Sequence, residues 1–442
     1  MASVMIPLLL SVMVSGLLGH PPPWKEQQIN MLMPGVKPTV PDTYLCKSVK
    51  MEDDHTYITG FIPNADANIA HHVLLYGCEE PGAEPGRIWN CGEMASSSAG
   101  PHAGPCRTGL NILYAWAMEA PRLSLPPDVS FNVGQATSTK YLVVQVHYKN
   151  VSKFLPPENG EDHSGLTLVT TQVPSQKQAG VYIMSTGGSL PSHTVEYFEV
   201  ACEMTEDVEI FPFAFRTHAH SLGRVISGYR IRDGVWTEIG RKDPRLPEMF
   251  YNATNQGISV RRGDILAARC TMHDTTDHTV SIGATQKDEM CNFYIMYYVN
   301  KPPTLQVDSC FSPGPPYWYW KDYPDQEKLN LDAAPDTASV IPGTNSPLKR
   351  NVSQAYAFES SEEVEGVPGR FNDVLADDII DQAIEELDPQ SLLYLVQELA
   401  EEEEWQQQQQ QQQEAQRQEM LLRERQRQMA LGQIPALYGG RP

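Results

Sequence analysis

The sequence predicts an all-β protein made of antiparallel β-sandwich domains, and three observations carry that prediction. Between about Met31 and Trp320, short runs of β-branched and aromatic residues recur, each broken by Gly, Pro, Asn or Asp. Only NILYAWAM (111–118) invites a helix reading in that span. The span is also long enough for two domains of ordinary size, and many short strands at such spacing fit sandwiches better than a single open sheet.

The elements follow in order. MASVMIPLLLSVMVSGLLG (1–19) holds an apolar run from Val4 to Leu18 and then small residues, which reads as a secretory signal peptide cleaved near Gly16 or Gly19. It lacks a positive leading region, and it is short for a membrane anchor and interrupted by Ser-Gly. No other segment approaches a membrane span. YLVVQVHY (141–148) closes a first predicted domain, 31–173. GVYIMS (180–185), RVISGYRIR (224–232), DILAARCTM (264–272) and CNFYIMYYV (291–299) supply a second, 177–326, with the junction near VPSQKQAG (173–180).

From residue 327 the composition changes. Residues 327–372 are polar, with Pro, Gly, Ser and a Lys349-Arg350 pair that reads as a processing site. Leu375, Ile379, Ile380, Ile384 and Leu387, then Leu392, Leu393, Val396 and Leu399, fall at helical spacing. Eight glutamines follow at 406–413. The whole of 327–442 is expected to be a low-complexity acidic and Gln-rich tail, partly helical and otherwise disordered, serving as a solvated appendage or a partner-binding or sorting segment.

The formal charge of −22 sits largely in that tail, where residues 351–404 carry sixteen Asp and Glu against one Arg. No basic patch argues for a nucleic-acid partner, and none is expected. Eight cysteines, an even number with no CxxC pair, fit four disulfides in an oxidising compartment and argue against a zinc knuckle or thiol-redox motif. Asn150, Asn252 and Asn351 head Asn-x-Ser/Thr sequons.

Chemistry is suggested by the histidines. In FRTHAHS (215–221), Arg216, His218 and His220 alternate along a strand and would share one face. His71 and His72 in NIAHHVLLYGC are adjacent, so a regular strand would send them to opposite faces; a shared metal requires a bulge, a twist or different ring nitrogens. His147 ends an apolar run. Neutral imidazole ligates copper and zinc alike. Met290 in KDEMCNFYIMYY bears on the metal, since a thioether ligand selects copper, although an isolated methionine is more often core filler.

Taken in this order, HHVLLYGC, NILYAWAM, VQVHY, FRTHAHSLGRVISGYRI, GDILAARC and DEMCNFYIMYY resemble the peptidylglycine α-hydroxylating monooxygenases, which are copper type II, ascorbate-dependent monooxygenases. The likeness covers about Met33 to Cys310. It implies two jelly-roll-like sandwiches, each with one copper, facing each other across a solvent-filled cleft. It implies His71, His72 and His147 as the copper site that relays electrons from ascorbate, and His218, His220 and Met290 as the site where dioxygen binds. Arg216, Asn292 and Tyr294 match the family's contacts to a substrate carboxylate, and Gln145 is a secondary participant. The implied disulfides are Cys46–Cys91, Cys78–Cys106, Cys202–Cys310 and Cys270–Cys291.

Two departures from the family are visible. The further disulfide of vertebrate-type members is missing as a pair, with His163 before Ser164-Gly165 and no cysteine before Cys46, so a looser N-terminal edge is expected. The region after Cys310 has neither the length nor the β-rich content of the lyase domain found in bifunctional relatives. The expected activity is therefore hydroxylation of the C-terminal glycine of glycine-extended peptides, in secretory granules or after secretion, with a separate lyase acting on the product. A dopamine β-monooxygenase-like hydroxylase and a secreted, non-catalytic copper-binding protein are the alternatives.

Overall fold

The structure, a computed structural model, describes residues 26–92, 103–283, 287–344 and 348. The predicted signal segment, Lys349-Arg350, the Asn351 sequon and the acidic and Gln-rich stretch beyond lie outside the described residues. Among the described residues nearly all regular structure is strand, and the one α-helix is the single turn Gln326–Leu329. NILYAWAM forms strand Asn111–Ala117, buried on both faces over its second half, because it completes the edge of a sheet beside His72–Cys78.

In the first half, a five-stranded sheet runs in the order Ile88–Asn90, Thr43–Lys50, Tyr141–Tyr148, His72–Cys78, Asn111–Ala117. Side-chain alternation sorts its residues. Val73, Leu75, Val144 and Val146 turn toward a second, ten-stranded sheet and pack on its Ile58, Phe61, Phe131, Leu166 and Leu168. Leu74, Tyr76, Cys78 and Val143 turn the other way, joining Tyr44, Trp89 and the disulfides Cys46–Cys91 and Cys78–Cys106. His72 and His147 are register partners and belong to this second face.

In the second half, strands Lys177–Thr186, Asn292–Val299 and Phe211–His218 continue the ten-stranded sheet. They pack through Met184, Phe215, Phe293 and Ile295 on Phe198, Val200, Ile226, Leu266 and Ala268 of a four-stranded sheet, Val195–Glu203, Ile265–His273, Gly223–Arg232, Val235–Lys242. Phe215 and Phe293 stack with ring centroids 5.7 Å apart. Glycine is required opposite them: a Cβ on Gly240 would lie 2.2 Å from the Phe215 ring, and one on Gly228 2.2 Å from Phe293. Disulfides Cys202–Cys310 and Cys270–Cys291 complete the set, so all eight cysteines pair as the resemblance implied.

Three features differ from expectation. Strand Val129–Val133 pairs in parallel with Lys177–Thr186, at Val129↔Lys177 and Ser130↔Gln178, so one sheet runs through the expected junction. Residues 327–340, placed by sequence at the head of the tail, are built into the second half. Leu329 and Ala338 are fully buried against Tyr229, Ile231 and Ala267, Trp236 Nε1 donates to Leu329 O at 3.0 Å, and Ser227 Oγ donates to Ala338 O at 3.0 Å. The polar composition concealed this because only a few apolar residues are needed to cover the outer face of one sheet. The N-terminal edge, finally, is stitched rather than loose: Gln27–Leu32 pairs over its whole length with Gly165–Thr171, and Gly35 N–H donates to Asp162 O at 3.0 Å.

Candidate metal centre and substrate cavity

The strand His72–Cys78 begins at its histidine, so His71 lies just outside the pleat and escapes alternation. Its backbone N–H donates to His147 O at 2.8 Å, which turns it back onto the face of the other two histidines. Ring centroids are 5.8 Å for His71–His72, 5.2 Å for His71–His147 and 4.8 Å for His72–His147. One ring nitrogen from each lies within 4.8 Å of the others. His72 Nε2 and His147 Nδ1 are buried without a hydrogen-bond partner, an arrangement costly to a polar group unless a ligand completes it. His147 Nε2 donates to Asp42 Oδ1 at 3.1 Å, the carboxylate–imidazole contact that orients a metal-binding histidine.

Electrostatics agree with a metal site. Burial, with a further contribution from His147, lowers the His71 pKa to about 4. Burial likewise lowers His147 to about 4 against the opposing pull of Asp42. His72 is held well below the usual histidine range by burial and by its two neighbours. The lowered values favour neutral imidazoles near pH 7, the form that binds a metal ion.

The second group forms at the end of Phe211–His218 and the start of Asn292–Val299. The His218 and His220 rings lie 5.5 Å apart at 82°. His218 Nδ1 donates to Glu248 Oε2 at 2.8 Å and His220 Nδ1 donates to Asp288 O at 2.7 Å, leaving Nε2 of each for a metal. Met290 joins them in the cavity wall, with its sulfur 3.8 Å from Asn292 Nδ2. Glu289, almost fully buried, accepts from the backbone N–H groups of His220 at 2.8 Å, Leu222 at 2.6 Å and Met290 at 3.2 Å. One carboxylate thus ties the histidine turn to the methionine.

Both groups open onto one cavity of about 450 Å³, lined among others by His71, His72, His147, His218, His220, Met290, Arg216, Glu248 and Tyr294. Segment Pro244–Phe250 contributes to the cavity wall and reaches the first half: Glu248 bridges Ala117 of the neighbouring strand and Phe250 lies against Tyr114, ring centroids 6.2 Å apart.

Arg216 is 3% exposed, opposite Tyr294 in register, with its guanidinium 5.0 Å from that ring. Its Nη2 is ion-paired with Glu248 Oε2 and its Nε donates to Glu248 O at 3.3 Å. Burial raises the Glu248 pKa, but His218 and Arg216 together outweigh it and hold the carboxyl below its usual value. Tyr294 lines the cavity, whereas Asn292 reaches it only through Met290.

Gln145 corrects an expectation. It shares the His147 face but is fully buried, its Nε2 donating to Gly92 O at 2.9 Å and its Oε1 accepting from Tyr76 OH at 3.4 Å. Its amide is consumed in tying the loop after Cys91, and it does not line the cavity. Glu248, Glu289, Asp42 and Tyr44 were missed by sequence reasoning. Glu289 adjoins Met290, a signal that was available; Glu248 lies 30 residues from His218 with nothing local to mark it. The sequon asparagines Asn150 and Asn252 are exposed.

The comparisons with known proteins agree with this geometry. The sequence model of the copper type II ascorbate-dependent monooxygenase N-terminal domain matches residues 29–155, and that of the C-terminal domain matches 177–323. A peptidylglycine alpha-amidating monooxygenase of Rattus norvegicus is 39% identical over 316 residues, 70% of this chain and 30% of that protein. Its Mus musculus counterpart is 38% identical over 320 residues, 71% of this chain and 31% of that protein. A dopamine beta-hydroxylase of Equus caballus is 25% identical over 380 residues, 75% of this chain and 60% of that protein. The chain thus spans about a third of the length of the peptidylglycine relatives it matches. With both domain models matched in order, and together covering more than half of its residues, the chain belongs to the copper type II ascorbate-dependent monooxygenase family.

Proposed function

We propose that the chain hydroxylates the α-carbon of the C-terminal glycine of glycine-extended peptides, using two copper ions, ascorbate and dioxygen, as the first step of peptide C-terminal amidation. The observation that carries this reading is that two histidine groups, a methionine and a buried arginine line a single cavity. The greater identity to the peptidylglycine relatives than to the dopamine beta-hydroxylase supports it further.

His71, His72 and His147 would hold one copper, and their orphaned buried nitrogens fit that load. His218, His220 and Met290 would hold the other, the thioether favouring Cu(I). The chemistry copper supplies when bound is one-electron redox cycling, with ascorbate as reductant and dioxygen as oxidant. In the overall reaction one oxygen atom enters the glycine Cα–H bond and the other leaves as water, taking two protons and two electrons.

The chain's own residues position and enclose. Glu289 and Asp288 fix His220, and Glu248 fixes His218. Arg216, backed by Tyr294, is the cavity's buried cation for a peptide carboxylate, and such positioning accounts for much of the barrier reduction in a reaction of this kind. Pro244, Arg245 and Glu248 of the segment Pro244–Phe250 form part of the cavity wall. Four disulfides support passage through the secretory route, and no helix among the described residues is long and apolar enough to cross a membrane. The product is an α-hydroxyglycine, so a lyase is the partner activity this reading calls for.

A second reading, hydroxylation of a phenethylamine, is favoured by one observation: Glu248 neutralises Arg216. The deciding experiment supplies copper, ascorbate and oxygen to the purified chain, together with a glycine-extended peptide and a phenethylamine, and follows both by mass spectrometry. A gain of one oxygen on the peptide alone supports the first reading. A gain on the amine alone replaces it with the second, and no gain despite bound copper leaves a copper-binding protein.

A further inference from the structure

Arg216 is the most buried cation of the cavity wall, and its charge is already answered from within the chain. Glu248 supplies both a carboxylate oxygen to Nη2 and its backbone carbonyl to Nε, and it is 5% exposed. A guanidinium offers a fixed fork of donors that suits one carboxylate held bidentately. A peptide carboxylate arriving at the same fork therefore meets a carboxylate already paired there and tethered to the chain. The other two cations of the wall are Lys149 and Arg245, and Arg245 is held by Asp243 at 2.6 Å.

Resting on the peptide-hydroxylase reading, we propose that Glu248 is a specificity-determining residue: it occupies Arg216 in the place of a substrate carboxylate and so weakens the cavity's discrimination between peptides with a free carboxylate and those without one. The residue has a second contact, accepting from His218 Nδ1, which fixes it beside the reactive end of the cavity. Glutamine at this position keeps an acceptor for His218 and removes the charge that competes for Arg216.

The test is equilibrium binding by calorimetry to the copper-loaded full chain without ascorbate, so that nothing turns over. The probes are a short N-acetylated peptide ending in glycine and the same peptide as its C-terminal amide. In the unmodified chain the acid is expected to bind less than about tenfold more tightly than the amide, below what an uncontested buried charge–charge contact gives. A preference of about tenfold or more overturns the proposal. In Glu248→Gln the acid-to-amide preference, read as a ratio so that any shared loss cancels, is expected to rise by about tenfold or more; an unchanged or smaller preference overturns it. The measurement on the unmodified chain decides the matter even where the variant does not fold. Because binding is read apart from turnover, a chain with this binding pattern that never oxygenates the peptide removes the hydroxylase reading and leaves the role of Glu248 standing. A chain that hydroxylates the peptide with a large native acid preference does the reverse.

Discussion

The Tyr44 ring lies parallel to the His147 imidazole, centroids 4.0 Å apart and planes 6° from coincident. Asp42, two residues earlier, takes the same imidazole by its Nε2. The segment entering strand Thr43–Lys50 therefore fixes both the plane and the tautomer of one histidine of the metal group. Replacing Asp42 with Asn, or Tyr44 with Ala, is expected to lower copper affinity at this group about 10- to 100-fold. Competition with a calibrated chelator reads the effect, and unaltered affinity in both variants would remove the segment from the metal site.

Met290→Ile is expected to abolish oxygen insertion while leaving the fold and the three-histidine group intact. Isoleucine fills similar volume without a sulfur donor. Near-ultraviolet circular dichroism checks the fold, and oxygen gain by mass spectrometry checks the chemistry; turnover at the native rate would take Met290 out of the site.

The metal-free protein is expected to lose stability in acid. His71 and His147 have folded-state pKa values lowered to about 4, against an ordinary value near 6.5 in the unfolded chain. Between those values the unfolded state binds more protons, so stability is complete above about pH 6.5 and falls as pH drops toward 4. For His147, which is 3% exposed, the loss is on the order of 2 kcal/mol. Urea titrations at pH 7 and pH 4.5 measure it, and copper loading at pH 7 adds stability on top.

Gly240→Ala is expected to cost about 1–3 kcal/mol, because the new methyl meets the Phe215 ring and both lie between two packed sheets. Chemical denaturation reads the change, and a neutral result would mean the strand pair Gly223–Arg232 and Val235–Lys242 yields more easily than its packing indicates.

Truncation separates two placements of the chain's compact limit. A chain ending at residue 344 is expected to match the full chain in thermal midpoint, whereas one ending at 326 exposes Trp236 and Tyr229 and loses Leu329, Ala338 and Ser339. The shorter form should melt several degrees lower. Equal midpoints would show that this segment adds no stability.

The strand-rich class and the metal-ligating types were legible because they rest on local signals: alternation in YLVVQVHY, paired histidines, and a methionine at the head of a β-type run. The convergence of His71 with His72 and His147 was not, since it depends on where the strand starts and on a backbone bond to His147 O. Gln145 misled for a related reason: sharing a strand face with His147 does not tell whether a side chain reaches the cavity or the loop after Cys91. Glu248 was invisible because its partners Arg216 and His218 meet it only through a loop crossing, and charge pairs of that kind leave no periodic trace. Residues 327–340 look like linker by composition, yet a handful of side chains there suffices to cover a sheet.

The shared sheet has a mechanical consequence. Because Val129↔Lys177 and Ser130↔Gln178 join strands from either side of the expected junction, and Ala117↔Glu248 adds a rung beside the cavity, the two histidine groups are mounted on one hydrogen-bonded frame rather than on bodies linked by a tether. Widening the gap between them shears a ladder, so their spacing belongs to the fold in the way the jaw setting belongs to a clamped calliper. Such a frame melts as one cooperative unit, and calorimetry of the metal-free protein should trace a single transition across both halves.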